Sequence, residues 1–114
     1  MNIINLTPHD INILDDNDDI IRTYGPSGTV ARVATFADVF DDIDGVAVAT
    51  TTYGPVTGVP DPVDGNIFVV SSLVAQRLAN VRTDVVSPDT SPQSVVRNDA
   101  GHVVGVKRFQ RFGA

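Results

Sequence analysis

Cysteine is absent, so neither a disulfide nor thiol chemistry is available to this chain. Glutamate is absent as well: all fourteen acidic residues are Asp. Lysine occurs once, at Lys107, and the other seven basic residues are Arg. No apolar run approaches the roughly 20 residues a membrane helix needs. Nor does the start, MNIINLTPHD, carry the basic and long apolar regions of a signal peptide, so the expected location is cytoplasmic. The glycine-rich GxGxxG fingerprint, the phosphate loop with its Lys and the GxSxG serine elbow are all missing.

What remains describes a globular chain. Its 114 residues suit one domain, 1–114, with a core that needs no staples. Hydrophobic residues make up 42% and charged residues 19%, a globular rather than a disordered balance. Asp favours turns and caps over helix, while the abundant Val and Thr favour strands. The charge is segregated: residues 1–66 hold eleven Asp against Arg22 and Arg32, a net of −9, and residues 67–114 are at +3. Phosphate neutralisation dominates nucleic-acid affinity, so an acidic chain argues against such a partner. The basic C-terminal half leaves room for one small anionic ligand.

The pattern along the chain predicts strands at 2–6, 29–34, 46–53, 67–70 and 84–86. It also predicts a hairpin of Ile11–Leu14 with Ile20–Tyr24 around DDNDD, and another around Asn98–Gly101 joining 94–97 to 102–109. Phe36, Val39, Phe40 and Ile43 fall at helical spacing, which predicts one or two helical turns, or a loop, over 36–43. Gly54 to Gly65 reads as loop. The clearest helix covers about 72–80, with Val74, Leu78 and Val81 as its apolar stripe and Ser71 or Ser72 as its cap. The fold class is therefore α+β: a compact, β-rich single domain with a mainly antiparallel or mixed sheet and one short helix.

Candidate chemistry gathers in three places. Asn5, Thr7 and His9 form the NLTPH turn. Ser71 and Ser72 sit where a strand passes into a helix, a joint whose backbone N–H groups and dipole favour an anion. Arg82, Asp84, Ser87, Asp89 and Thr90 bracket the strand that follows, and Arg97 adds a further guanidinium for bidentate contact with phosphate or carboxylate. Against these stand plainer readings: a serine cap, an Arg82–Asp84 ion pair and a turn histidine. DDNDD spaces its oxygens like a calcium loop, but Ile20 stands where glycine belongs and no bidentate Glu follows. A solvated loop is the expectation there, and neither a metal nor a cofactor is implied.

NLTPHDINI, SGTVARV, YGPVTGVP, IFVVSSLVAQ, RTDVVSPDT and VVRNDAGHVVGVKRF together resemble an uncharacterised family of small phage, prophage and bacterial proteins. The likeness spans nearly the whole chain and implies life inside a bacterial host cell. It implies no catalytic residues. The functional expectation is a phage-type accessory protein that sequesters a small anionic or nucleotide-like ligand without turnover. An acidic module that docks on a host protein is the alternative. A hydrolase using His9 with Asp10 or Asp84 comes third, because no nucleophile–base pair is visible. A chain of this size makes a modest pocket, so a homo-oligomer is the expected way to enlarge it.

Overall fold

The computed structural model describes residues 1–113. Ten strands and one helix follow in the order β1 (Asn2–Asn5), β2 (Ile11–Leu14), β3 (Ile20–Tyr24), β4 (Arg32–Ile43), β5 (Val46–Thr57), β6 (Asn66–Val69), α1 (Ser72–Arg77), β7 (Val85–Pro88), β8 (Val95–Arg97), β9 (Val103–Val106) and β10 (Phe109–Gln110). They build a strand-rich domain with mixed sheets and one short helix.

The middle layer is a sheet ordered β1-β6-β7-β10. β1, β6 and β7 run parallel, and β10 closes the edge antiparallel to β7. Its central strand reads IFVV because both of its faces are covered, as buried parallel strands require. Phe68 and Val70 point to one side, where Leu6, Ala31, Val74, Ala75 and Val85 join them. Val69 points to the other, against Ile11 and Val86, with Ile3, Ile13, Tyr24, Ile67 and Phe109 around them. Burying Phe68 to 1% exposure stabilises the fold by roughly 1.5–3 kcal/mol. The first side is capped by α1, the second by a sheet ordered β3-β2-β9-β8. Tyr24 and Phe109 meet across that second interface, ring centroids 6.2 Å apart.

The expected helix is shorter than its apolar stripe. Leu78 caps it, and Asn80 takes a left-handed backbone (φ 64°) that ends helical propagation. The predicted last hairpin is also divided. Ser94 Oγ accepts from the N–H groups of Lys107 (3.1 Å) and Arg108 (3.2 Å), which interrupts the strand. β9 therefore stays with β8, while β10 crosses to β7.

The largest departure lies at 32–57. Neither a helix nor a loop forms over 36–43. Instead β4 and β5 pair as a two-stranded antiparallel ribbon. Its tip is Asp44-Gly45, both residues left-handed (φ 51° and 80°), as a two-residue type I′ hairpin turn requires. The register shifts between Val39 and Asp41, so Phe40 is an extra residue that resets the two-residue period: Phe36 and Ile43, seven residues apart, share a face, and Val39 lies on the other. β5 continues through Gly54 and Pro55 to Thr57, where a loop is predicted. Arg77 lies over the Tyr53 ring at 5.0 Å and ties the ribbon's base to the helix. Every residue from Ala34 to Tyr53 is exposed, so the ribbon is an arm rather than part of the core. The radius of gyration, 16.6 Å, exceeds the ~13 Å of a compact domain of this length.

Candidate functional site

Parallel strands deliver their following loops to one end of a sheet, and ligand crevices form there. β1 runs into Thr7-Pro8-His9, β6 into Ser71-Ser72, and β7 ends at Pro88 before Thr90. These three loops line one cavity of about 490 Å³, closed on its remaining side by Ile11, Asn12 and the strand segment Val103–Val106. The walls are largely apolar, with hydroxyls from Thr7, Ser71, Ser72 and Thr90, the His9 imidazole and the Asp10 carboxylate among them. That volume and lining fit a small organic ligand.

The NLTPH turn owes its shape to Asn5. Its side chain is 2% exposed. Nδ2 donates to the carbonyls of His9 (2.8 Å) and Tyr24 (2.9 Å). Oδ1 accepts from the Thr7 N–H (2.9 Å) and the Thr7 hydroxyl (2.7 Å). All four hydrogen-bonding positions of the amide are thus filled. Asn5 holds the loop so that Thr7 and His9 reach the groove, and does not line the groove itself.

At the second loop, Ser71 is the helix cap, its Oγ accepting from the Val74 N–H at 3.4 Å. Ser72 Oγ accepts from Gln76 Nε2 at 3.0 Å. Both serines remain exposed and both line the groove.

The third loop is built on Asp89, which is 4% exposed. Arg108 Nε donates to its Oδ2 and the Ser91 N–H to its Oδ1, while the Asp89 N–H donates to the Arg108 carbonyl. The Arg108 guanidinium first, then Ser91 through its backbone N–H, hold the Asp89 carboxyl at about 2, below its ordinary 3.8. A depressed carboxylate stabilises the fold above its unfolded pKa, and that stability is lost as pH falls through the folded one. The melting temperature should therefore drop between about pH 4 and pH 2. Asp89→Asn should flatten that part of a melting-temperature profile. An unchanged profile would remove Asp89 as its source. Ser87 is fully buried behind this loop, and its Oγ has no hydrogen-bond partner among the described residues.

The remaining candidates lie elsewhere. Arg82 and Asp84 sit at the opposite end of the parallel strands, beside a second cavity of about 360 Å³ lined with Met1, Pro62 and Gly65. They form a two-point ion pair, Nε–Oδ1 and Nη2–Oδ2 both 2.8 Å, and Arg82 also donates to the Pro60 carbonyl at 2.8 Å. The Arg82–Asp84 hydrogen bonds raise the Arg82 pKa and lower that of Asp84. Arg97 is exposed at the β8–β9 turn and donates to the Gly101 carbonyl at 2.9 Å. No Arg or Lys side chain lines the larger groove.

Sequence reasoning missed Asn12 and the Val103–Val106 wall, and considered Asp10 only as a partner for His9 in a hydrolase. Only the parallel pairing of β2 with β9 brings them together, and Asn12 Nδ2 then donates to the Val104 carbonyl at 3.1 Å. At DDNDD, Asp15 Oδ1 accepts from the N–H groups of Asn17 and Asp19, a loop-closing role. Among the described residues no group of three His or Asp side chains could hold a metal ion. No helix among them is long and apolar enough to cross a membrane. No protein-family model, curated protein or solved structure matches the chain.

Proposed function

We propose that the protein binds a small nucleotide-like ligand and releases it unchanged, using the groove at the carboxyl ends of β1, β6 and β7. The observation that carries this reading is the convergence of three loops on one 490 Å³ cavity with apolar walls and hydroxyl groups. Apolar walls suit a planar base, and hydroxyls with an imidazole suit a sugar and its substituents. With no Arg or Lys in the lining, the base and sugar supply most of the affinity and the anionic end faces solvent. In this reading the protein is a phage accessory protein that sequesters its ligand in the cytoplasm of a bacterial host.

The test is a melting-temperature screen with nucleosides, nucleotides and cyclic dinucleotides, each recovered afterwards and analysed. A ligand at a hundred times its Kd adds about 2.7 kcal/mol, which raises the melting temperature by roughly 10 °C. The expected result is such a rise with the ligand intact. Ser72→Trp, which fills the groove from an exposed position, should abolish it, and Arg82→Ala should leave it unchanged. Conversion of the ligand would establish the hydrolase reading instead. No shift with any of them, together with salt-sensitive capture of a host protein, would establish the acidic docking module.

A further inference from the structure

The β4–β5 arm cannot be explained as a free ribbon. A two-stranded hairpin is marginally stable in water, and three or more strands are needed for independent stability. This one exposes Phe36 (57%), Phe40 (78%), Ile43 (66%) and Val46 (67%). We infer that the arm pairs with the arm of a second copy of this chain, β5 against β5 and antiparallel, to make a four-stranded sheet across a two-fold axis at Ala49.

The placement of charge selects this arrangement over the others. Cross-strand pairing puts Phe36, Asp38, Asp41, Ile43, Val46 and Val48 on one face. Packing that face against its own copy would bury four carboxylates with no cation in either arm between Val33 and Thr57, a heavy desolvation cost. Pairing along β4 fails for related reasons. That edge carries Asp38, Asp41 and Asp42, and the bulge at Phe40 breaks its hydrogen-bonding row. β5 differs. Val46–Thr52 (VAVATTT) is free of charge, proline and glycine, and has no bulge of its own. Its outer edge pairs with nothing among the described residues. A long, flat, uncharged edge strand is a template for another strand.

Self-pairing also has a register that suits both copies. Centred on Ala49, it sets Val46 opposite the partner's Thr52 and Val48 opposite the partner's Thr50, β-branched pairs on one face. Ala47 meets the partner's Thr51 on the other. The same register brings the Asp44 tip level with the partner's Gly54, beside the Tyr53 ring that the partner's Arg77 overlies. Among the described residues of its own chain Asp44 makes no ion pair, whereas the dimer gives its carboxylate a cation at each end of the sheet.

Sedimentation or light scattering of the intact chain at micromolar concentration reads the mass directly. The expected value is twice the 12.1 kDa of one chain. Ala49→Lys sets two like charges against each other on the axis, at a site exposed in the single chain. It should weaken the dimer tenfold or more while the circular dichroism spectrum stays that of a folded protein. Because the chain has no cysteine, Ala49→Cys should cross-link to itself on mild oxidation, and Ala37→Cys on the outer strand should not. A single-chain mass at all concentrations overturns the proposal, even if the arm then captures another protein. So does a dimer that Ala49→Lys leaves intact and Ala49→Cys fails to link. These readouts are independent of any small ligand.

Discussion

Asn5→Asp is expected to be the most damaging single-atom change in the molecule, lowering the melting temperature by roughly 10–20 °C. The substitution keeps the shape of the side chain and exchanges the amide nitrogen for a carboxylate oxygen. That nitrogen donates to the carbonyls of His9 and Tyr24 in a site 2% exposed. After the change two carbonyls lose their donor and face a buried negative charge, at a cost of about 3–5 kcal/mol. The sign of the pH dependence distinguishes this cause from simple loss of packing. Burial beside acceptors raises the new carboxyl's pKa, so the deficit shrinks as pH falls and the group protonates. Thermal unfolding of parent and variant at pH 7 and pH 4.5 measures both effects. A variant that melts within about 1 kcal/mol of the parent but loses ligand affinity would make Asn5 a ligand contact rather than the organiser of its loop.

Gly105→Ala should cost about 3 kcal/mol, the upper part of the overpacking range. A Cβ at Gly105 would lie 2.4 Å from the Asn12 carbonyl oxygen and 2.5 Å from Leu14 Cδ1. The Leu14 methyl can turn away, whereas the carbonyl belongs to β2 and cannot move without parting β2 from β9. Because β9 is also a wall of the groove, the variant should lose the ligand-induced rise in melting temperature as well as stability. Chemical denaturation of Gly105→Ala checks the first effect. A loss below about 1 kcal/mol would show that the two strands part easily.

Asn5 and Gly105 also mark how much of the site could be read beforehand. Thr7 and His9 were legible because Asn, Thr and Pro close together announce a turn whose geometry is local. Ser71 and Ser72 were legible because a strand of four apolar residues ran straight into an amphipathic helix. Their meeting with Thr90 follows from parallel strands that place their loops on the same side. Arg82 and Asp84 illustrate the opposite case. They are two residues from each other and close to Ser87 in sequence, yet β7 carries them to the far end of the sheet. A short strand separates its two flanking loops by its own length, so nearness in sequence there guarantees distance in space. At Val103–Val106 nothing local signals a binding wall, since β2, the partner that brings it to the groove, lies about ninety residues earlier.

The arm shows a different limit. Its apolar residues stand at helical spacing in sequence, yet pairing splits them: the Phe40 bulge sets Phe36 and Ile43 on one face and leaves Val39 on the other. Asp44-Gly45 was the stronger local signal, since both residues take left-handed backbone readily in a type I′ turn.

Composition, turn chemistry and strand propensity determined that this chain is β-rich, with one helix after Val70 and hairpins at Asp15–Asp19 and Asn98–Gly101. Those properties depend on neighbouring residues alone. Only the tertiary structure decided which loops share an end, that Arg82 binds Asp84 away from the groove, and that the β9 backbone forms the groove's far wall. Such relations depend on strand order and direction, set by burying both faces of β6 at once, and that condition involves residues from Ile3 to Phe112 together.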